Sequence, residues 1–251
     1  MTDLPFEASV TSICEVEIGS TAKPRRLLGT ATVLNGGFFL TARHVIENIG
    51  PNVRNVGLPI WINNADCFFE PLGTLEFAPG RIDIAIGKTS LPTRSEFAFD
   101  KDHIVTIWQE VFALGYPETA VEPGLDKIAT GLRAFKGIVQ RNIRNDGFSP
   151  PQDHSDRIEL DFTMGQGASG SPIFYTRGHS RMMLCGIYRG ARRHEIVLET
   201  ISESSVNGKI ETHQTSKIEY FGEACMLRPI IDWKPAIGAG MSLAQILALS
   251  A

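Results

Sequence analysis

The chain has 251 residues, of which 43% are hydrophobic and 21% charged, and its formal net charge is −4. That balance suits one large globular domain or two small ones. It excludes the basic footprint expected of a nucleic-acid or anionic-membrane binder.

The start, MTDLPFEASV, has acidic residues and no apolar run, so it reads as neither leader nor anchor. No later stretch offers the ~20 apolar residues of a membrane helix. Strand-like segments follow in chain order: 8–18, 27–34, 37–41 and 82–87 in the first half, then 104–113, 157–163, 172–175 and 182–188. Each is rich in β-branched, aromatic or aliphatic residues, and Gly, Asn or Pro separates them. NGG at 35–37 and NG at 207–208 read as hairpin turns. ARHVIENI reads as one short helical turn. The stretches 91–103 and 141–156 are polar and turn-rich, a linker and an exposed loop. The final MSLAQILALSA is the best helix, with Ser242 able to cap it. Many short strands over this length predict an all-β sandwich or a pair of barrels.

Cys14, Cys67, Cys185 and Cys225 are scattered, with no CxxC pair. That pattern fits a reduced, cytoplasmic protein better than a disulfide framework, and it offers no metal spacing. No HExxH, phosphate-binding loop or EF-hand pattern is present, so no cofactor is expected. The basic clusters Lys23–Arg26 and Arg189–Arg193 read first as solvated loops.

Three short motifs stand out. GFFLTARHV (37–45) ends an apolar strand and places His44 just beyond it. RIDIAI (81–86) sets Asp83 inside an apolar run, where a carboxylate needs a partner. GQGASGSP (165–172) frames Ser169 with glycines. Acyl transfer by serine requires a base, a carboxylate that orients the base, and donors for the oxyanion. Gly167 lets its own N–H and that of Ser169 point at one spot, Gly170 leaves room for an acyl group, and Pro172 fixes the exit into the next strand. Taken singly, each motif also reads as an ordinary strand end or tight turn, and Ser171 is a rival to Ser169.

Together, TARHV, DIAI and GASGSP closely resemble the trypsin/chymotrypsin-like serine peptidases, especially bacterial members without activation peptides. The order His, Asp, Ser is the same. The resemblance runs over about residues 8–190 and favours Ser169 over Ser171. It implies two six-stranded antiparallel barrels with the site in the cleft between them, over about 8–100 and 104–235, and a helix at about 241–250. It implies that His44 is base then acid, that Asp83 orients it, that Ser169 is the nucleophile, and that Gly167 and Ser169 N–H groups form the oxyanion hole. It also implies a protein or peptide substrate. Thr163 falls at the base of the primary specificity pocket, and Tyr188 and Arg189 fall on the strand that pairs with substrate backbone.

The departures are informative. Ala168 cannot form the ion pair that switches on secreted relatives, so N-terminal processing is not expected to act here. Val45 and Gly165 stand where many relatives have cysteines. Thr163 is not a carboxylate, which argues against trypsin-like preference for Lys or Arg. Tyr188 with Arg189, Arg192 and Arg193 leaves two preferences open, an acidic residue or a small or medium uncharged one. His103, His154, His179, His194 and His213 sit in polar contexts and are not expected to act. An α/β-hydrolase is disfavoured, because position 171 is Ser and no Asp lies between Ser169 and the last histidine. A catalytically silent or partner-gated binding module is the standing alternative, and an activating protein partner fits it.

Overall fold

The structure is a computed structural model. It describes residues 9–17, 23–49, 55–61, 67–90, 93–118, 131–143, 156–178, 181–204 and 210–249. The opening segment, the turn at 207–208 and most of the 141–156 stretch lie outside them.

The first half forms a sheet of β1 (Val10–Glu17), β2 (Lys23–Val33), β3 (Phe38–Thr41), β4 (Val56–Trp61), β5 (Cys67–Pro71), β6 (Leu75–Phe77) and β7 (Ala85–Lys88). Its order is β5-β4-β1-β2-β3-β7-β6. The two edge strands are joined by only Leu72, Gly73 and Thr74. One sharply bent strand therefore pairs with β4 at one end and β7 at the other, and it closes the ring. The bend needs Gly73, where a Cβ would lie 2.5 Å from the Lys88 carbonyl oxygen. The expected six strands thus appear as seven hydrogen-bonded segments.

The second half contains β8 (Phe97–Ala98), β9 (Glu110–Gly115), β10 (Arg133–Ile143), β11 (Arg157–Leu160), β12 (Pro172–Arg177), β13 (Arg181–Ser204) and β14 (Ile210–Met226). The order is β12-β9-β10-β11-β14-β13-β8, and β12 also pairs with β13. That pairing closes a six-stranded antiparallel barrel, with β8 added to β13 in parallel. Closure removes the exposed edges that an open sheet would present.

The stretch 91–103, expected as a polar linker, contains the buried strand β8, and three expected strands have other bounds. The strand expected over 104–113 begins at Glu110. Before it, Trp108 takes φ 70°, and Ile104, Ile107 and Trp108 face solvent rather than the core. The strand expected over 182–188 runs on to Ser204, because residues after Tyr188 form a ribbon with β14 that is exposed on both faces, Ile196, Val197 and Leu198 included. The strand expected over 82–87 begins at Ala85, and Asp83 lies on a three-residue turn closed by Ile84 N–H to Ile82 O (2.9 Å).

Each barrel has its own core. Ile13, Ala31, Phe39 and Leu58 fill the first, and Val111, Val139, Leu160 and Ile173 fill the second. The largest cluster lies between them, joining Leu34, Phe38 and Ile86 to Leu114, Phe174 and Ile187. A short helix, α2 (Leu243–Ala248), buries Leu243, Ile246 and Leu247 in that same cluster. Ser242 caps it in a reciprocal capping box with Gln245. Among the described residues, no helix is long and apolar enough to cross a membrane.

Candidate active site

His44 lies on the one-turn helix α1 (Arg43–Glu47), which β3 delivers directly to the seam between the barrels. Asp83 reaches it from the turn before β7. The carboxylate takes two hydrogen bonds from one residue: the His44 backbone N–H reaches Oδ1 (2.9 Å), and His44 Nδ1 pairs with Oδ2 (2.8 Å). This clamp fixes the ring and leaves Nε2 free to face the cleft. Burial of Asp83 acts to raise its carboxyl, but the His44 contacts and the Arg189 charge outweigh burial and hold it below the usual carboxylate range.

Ser169 lies on the loop between β11 and β12, across the seam. Gly165, Gly167 and Gly170 all adopt positive φ there. The first barrel braces this loop. Thr30 N–H donates to Ser169 O (2.7 Å), Thr30 Oγ1 to Gly167 O (3.0 Å) and Thr32 Oγ1 to Gly170 O (3.0 Å). Gly170 has a different role from the one expected. Its missing Cβ would lie 1.9 Å from the Thr30 carbonyl oxygen, so glycine lets the loop seat against β2.

The amides of the loop are poised. Gln166 O accepts from Glu118 N–H at 2.7 Å. Its peptide bond is trans, so the Gly167 N–H points the opposite way, away from Glu118. Among the described residues, neither that N–H nor the Ser169 N–H donates a hydrogen bond. The Ser169 hydroxyl donates to the Arg189 carbonyl (3.0 Å) rather than to His44. Ser171 is fully buried and donates to Ala168 O at 2.6 Å, which removes it from the cleft.

The three residues expected on the substrate side separate. Thr163 is half-buried beside Met164. Tyr188 is fully buried, and its oxygen accepts the Met164 N–H at 3.1 Å. Burial pushes the phenol above its ordinary range, so it stays protonated. Arg189 turns the other way, with Nε 3.3 Å from Asp83 Oδ2 and Nη1 3.4 Å from Glu223. Glu223 also takes Arg157 (3.0 Å) and Arg192 (3.2 Å).

Sequence reasoning missed Thr30, Thr32, Glu223 and Arg157. Alternate threonines in the apolar GTATVL carry a usable signal, since buried hydroxyls need partners. Glu223 and Arg157 carry none, because their pairing spans 66 residues. His103 packs on Tyr175 and contacts Gln109, while His194 sits 3.6 Å from Glu159. His154, His179 and the side chain of His213 lie outside the described residues. Among the described residues, no cluster of His, Cys, Asp or Glu is arranged to hold a metal.

Two antiparallel barrels with a clamped His–Asp pair facing a serine loop have the architecture of a chymotrypsin-like serine endopeptidase. The chain belongs to the trypsin-like peptidase domain family, whose profile matches residues 29–181. The fold is similar to the MamO protease domain from Magnetospirillum magneticum, with 15% identity, 92% of this chain and 97% of that chain covered, and a TM-score of 0.54. It is also similar to the active form of the Rv3671c protease from M. tuberculosis, with 18% identity, coverage of 96% and 82%, and a TM-score of 0.52. An inactive form of Rv3671c gives 17% identity, coverage of 96% and 90%, and 0.51. No curated protein matches the chain.

Proposed function

We propose that this serine endopeptidase cleaves peptide bonds through His44, Asp83 and Ser169, with an acyl-enzyme intermediate. The observation that carries the assignment is the doubly bonded His44–Asp83 pair, facing a serine loop whose Gly167 and Ser169 amides have no acceptor among the described residues. Rotation of the Ser169 side chain moves its hydroxyl from the Arg189 carbonyl toward His44 Nε2. Such contacts commonly tighten only when substrate arrives. His44 takes the proton as Ser169 Oγ attacks the scissile carbonyl. The imidazolium is stabilised by Asp83, and the oxyanion accepts from Gly167 and Ser169 N–H. His44 then protonates the leaving amine, and water repeats the sequence to release the acid.

Burial of Cys14, Cys185 and Cys225 as thiols supports a reducing, cytoplasmic setting. Burial pushes the Cys185 thiol up to about 12, so it stays a protonated packing group.

The test is labelling by a fluorophosphonate, together with hydrolysis of a proteome-derived peptide library. Wild type labels and cleaves, and Ser169→Ala loses both, by at least ~10⁴-fold in kcat. A wild type that never labels between pH 6 and 9, with or without cell extract, would instead favour a silent binding module.

A further inference from the structure

His44 and Asp83 border a cleft of about 770 Å³, walled by α1, the Arg81–Asp83 turn, β11, β13 and β14. Five arginines and three carboxylates line it. The carboxylates are already engaged. Glu47 is held by Arg43 at 2.7 Å, Asp83 by His44 at 2.8 Å, and Glu223 by the buried Arg157 at 3.0 Å. Arg189 and Arg192 reach these same carboxylates only at 3.2–3.4 Å, and Arg81 has no ion pair among the described residues. The cleft therefore holds a surplus of positive charge, and Glu223 keeps part of it in place.

The backbone gives the orientation of a ligand. β12 pairs with β13 only as far as Ile187, and Tyr188 bonds the serine loop through Gly170 and Ser171. From Arg189 onward that edge of β13 has no strand partner among the described residues, and it starts at Ser169 Oγ. An extended peptide that pairs antiparallel here, with its scissile carbonyl at Ser169, runs its N-terminal residues along Gly190–Arg192. Those residues enter the arginine cleft.

We propose that this cleft recognises an acidic side chain within the three residues preceding the one that supplies the scissile carbonyl, with Arg192, Arg189 and Arg81 as its ligands. The proposal rests on Ser169 being the attacking residue for its register. Arginine forks bind carboxylates through paired, charge-assisted hydrogen bonds, which a neutral amide cannot replace.

The test uses matched peptide pools that carry Glu, Gln or Lys at each of those three positions and at the residue that supplies the scissile carbonyl. Cleavage is measured with wild type, and binding with fluorescein-tagged pools on Ser169→Ala. At one position, Glu exceeds Gln about tenfold or more in kcat/KM and in affinity. That ratio falls to about one in Arg192→Gln and favours Lys in Arg192→Glu. Arg192 is half-exposed, so neither variant threatens the fold. A Glu-to-Gln ratio of one in both assays overturns the proposal. So does an acid preference confined to the residue supplying the scissile carbonyl. Failure of wild type to label with fluorophosphonate, while the binding ratio persists, overturns the Ser169 reading and leaves the acid-binding cleft standing.

Discussion

The two walls of the cleft are built on opposite plans. The serine wall is closed and densely packed. Tyr188 is fully buried, Gly222 gives way to its ring, and Gly170 presses on β2. The arginine wall is open and ionic, with Arg192 half-exposed above the buried Arg157–Glu223 pair. Close packing fixes atoms to a fraction of an ångström, which is what attack on a carbonyl demands. Long charged side chains fix little but attract strongly, which suits selection among substrates. Geometry for bond-breaking and charge for choosing meet at Asp83, which Arg189 approaches at 3.3 Å.

Substitutions can break or sharpen that contrast. Asp83 serves both walls, since it holds His44 and meets Arg189, so Asp83→Asn has the largest effect. Its kcat falls by about 10⁴-fold in steady-state assays, because Asn stabilises the wrong imidazole tautomer. The carboxyl is held below its ordinary value when folded, so its stabilising contribution is complete above about pH 4 and fades as pH falls through the lower, folded value. Melting curves from pH 6 to 2 detect this, and the loss is smaller in Asp83→Asn.

Next comes Glu223→Gln. It leaves the buried Arg157 without its carboxylate and costs about 3–5 kcal/mol in urea unfolding. A change below 1 kcal/mol would mean that the arginine wall needs no buried anchor. Gly170→Ala follows at about 3 kcal/mol, since the new methyl meets the Thr30 carbonyl and φ 96° disfavours any side chain. Fluorophosphonate labelling slows with it, because the loop can no longer seat on β2. Tyr188→Phe is the mildest. It removes only the acceptor of the Met164 N–H and costs about 1–2 kcal/mol, read as a small drop in melting temperature. If it matched Gly170→Ala in both readouts, the serine wall would depend on that hydroxyl as much as on packing.

The serine wall was the more legible of the two in the sequence. His44, Asp83 and Ser169 sit in motifs of a few residues, since local backbone shape sets each of them. The barrels were legible too, from apolar strands separated by turn residues. Arg189 was singled out as a substrate contact together with Tyr188, and the structure parts their side chains, with Arg189 turning to Asp83 and Glu223. Adjacent strand residues point to opposite faces, and that alternation parts the two. Glu223 and Arg157 were not legible, because nothing local marks a charge whose partner arrives from another strand. The ribbon past Tyr188 was missed for a related reason. Two-sided exposure leaves no alternation to detect.

The C-terminal helix sets an order of events. α2 packs into the cluster that joins the barrels, Asn35 Nδ2 donates to Leu249 O, and Glu76 accepts from the Ala236 and Ile237 amides. The segment from 236 to 249 thus ties the second barrel back onto the first. Chains are made from the N-terminus at about 5–20 residues per second, and the first barrel emerges well before this tie exists. Until then the two barrels lack this second clasp and meet through the Thr30 and Thr32 bonds to the serine loop. In chain order the 236–249 tie is the last of these links between the barrels to be made.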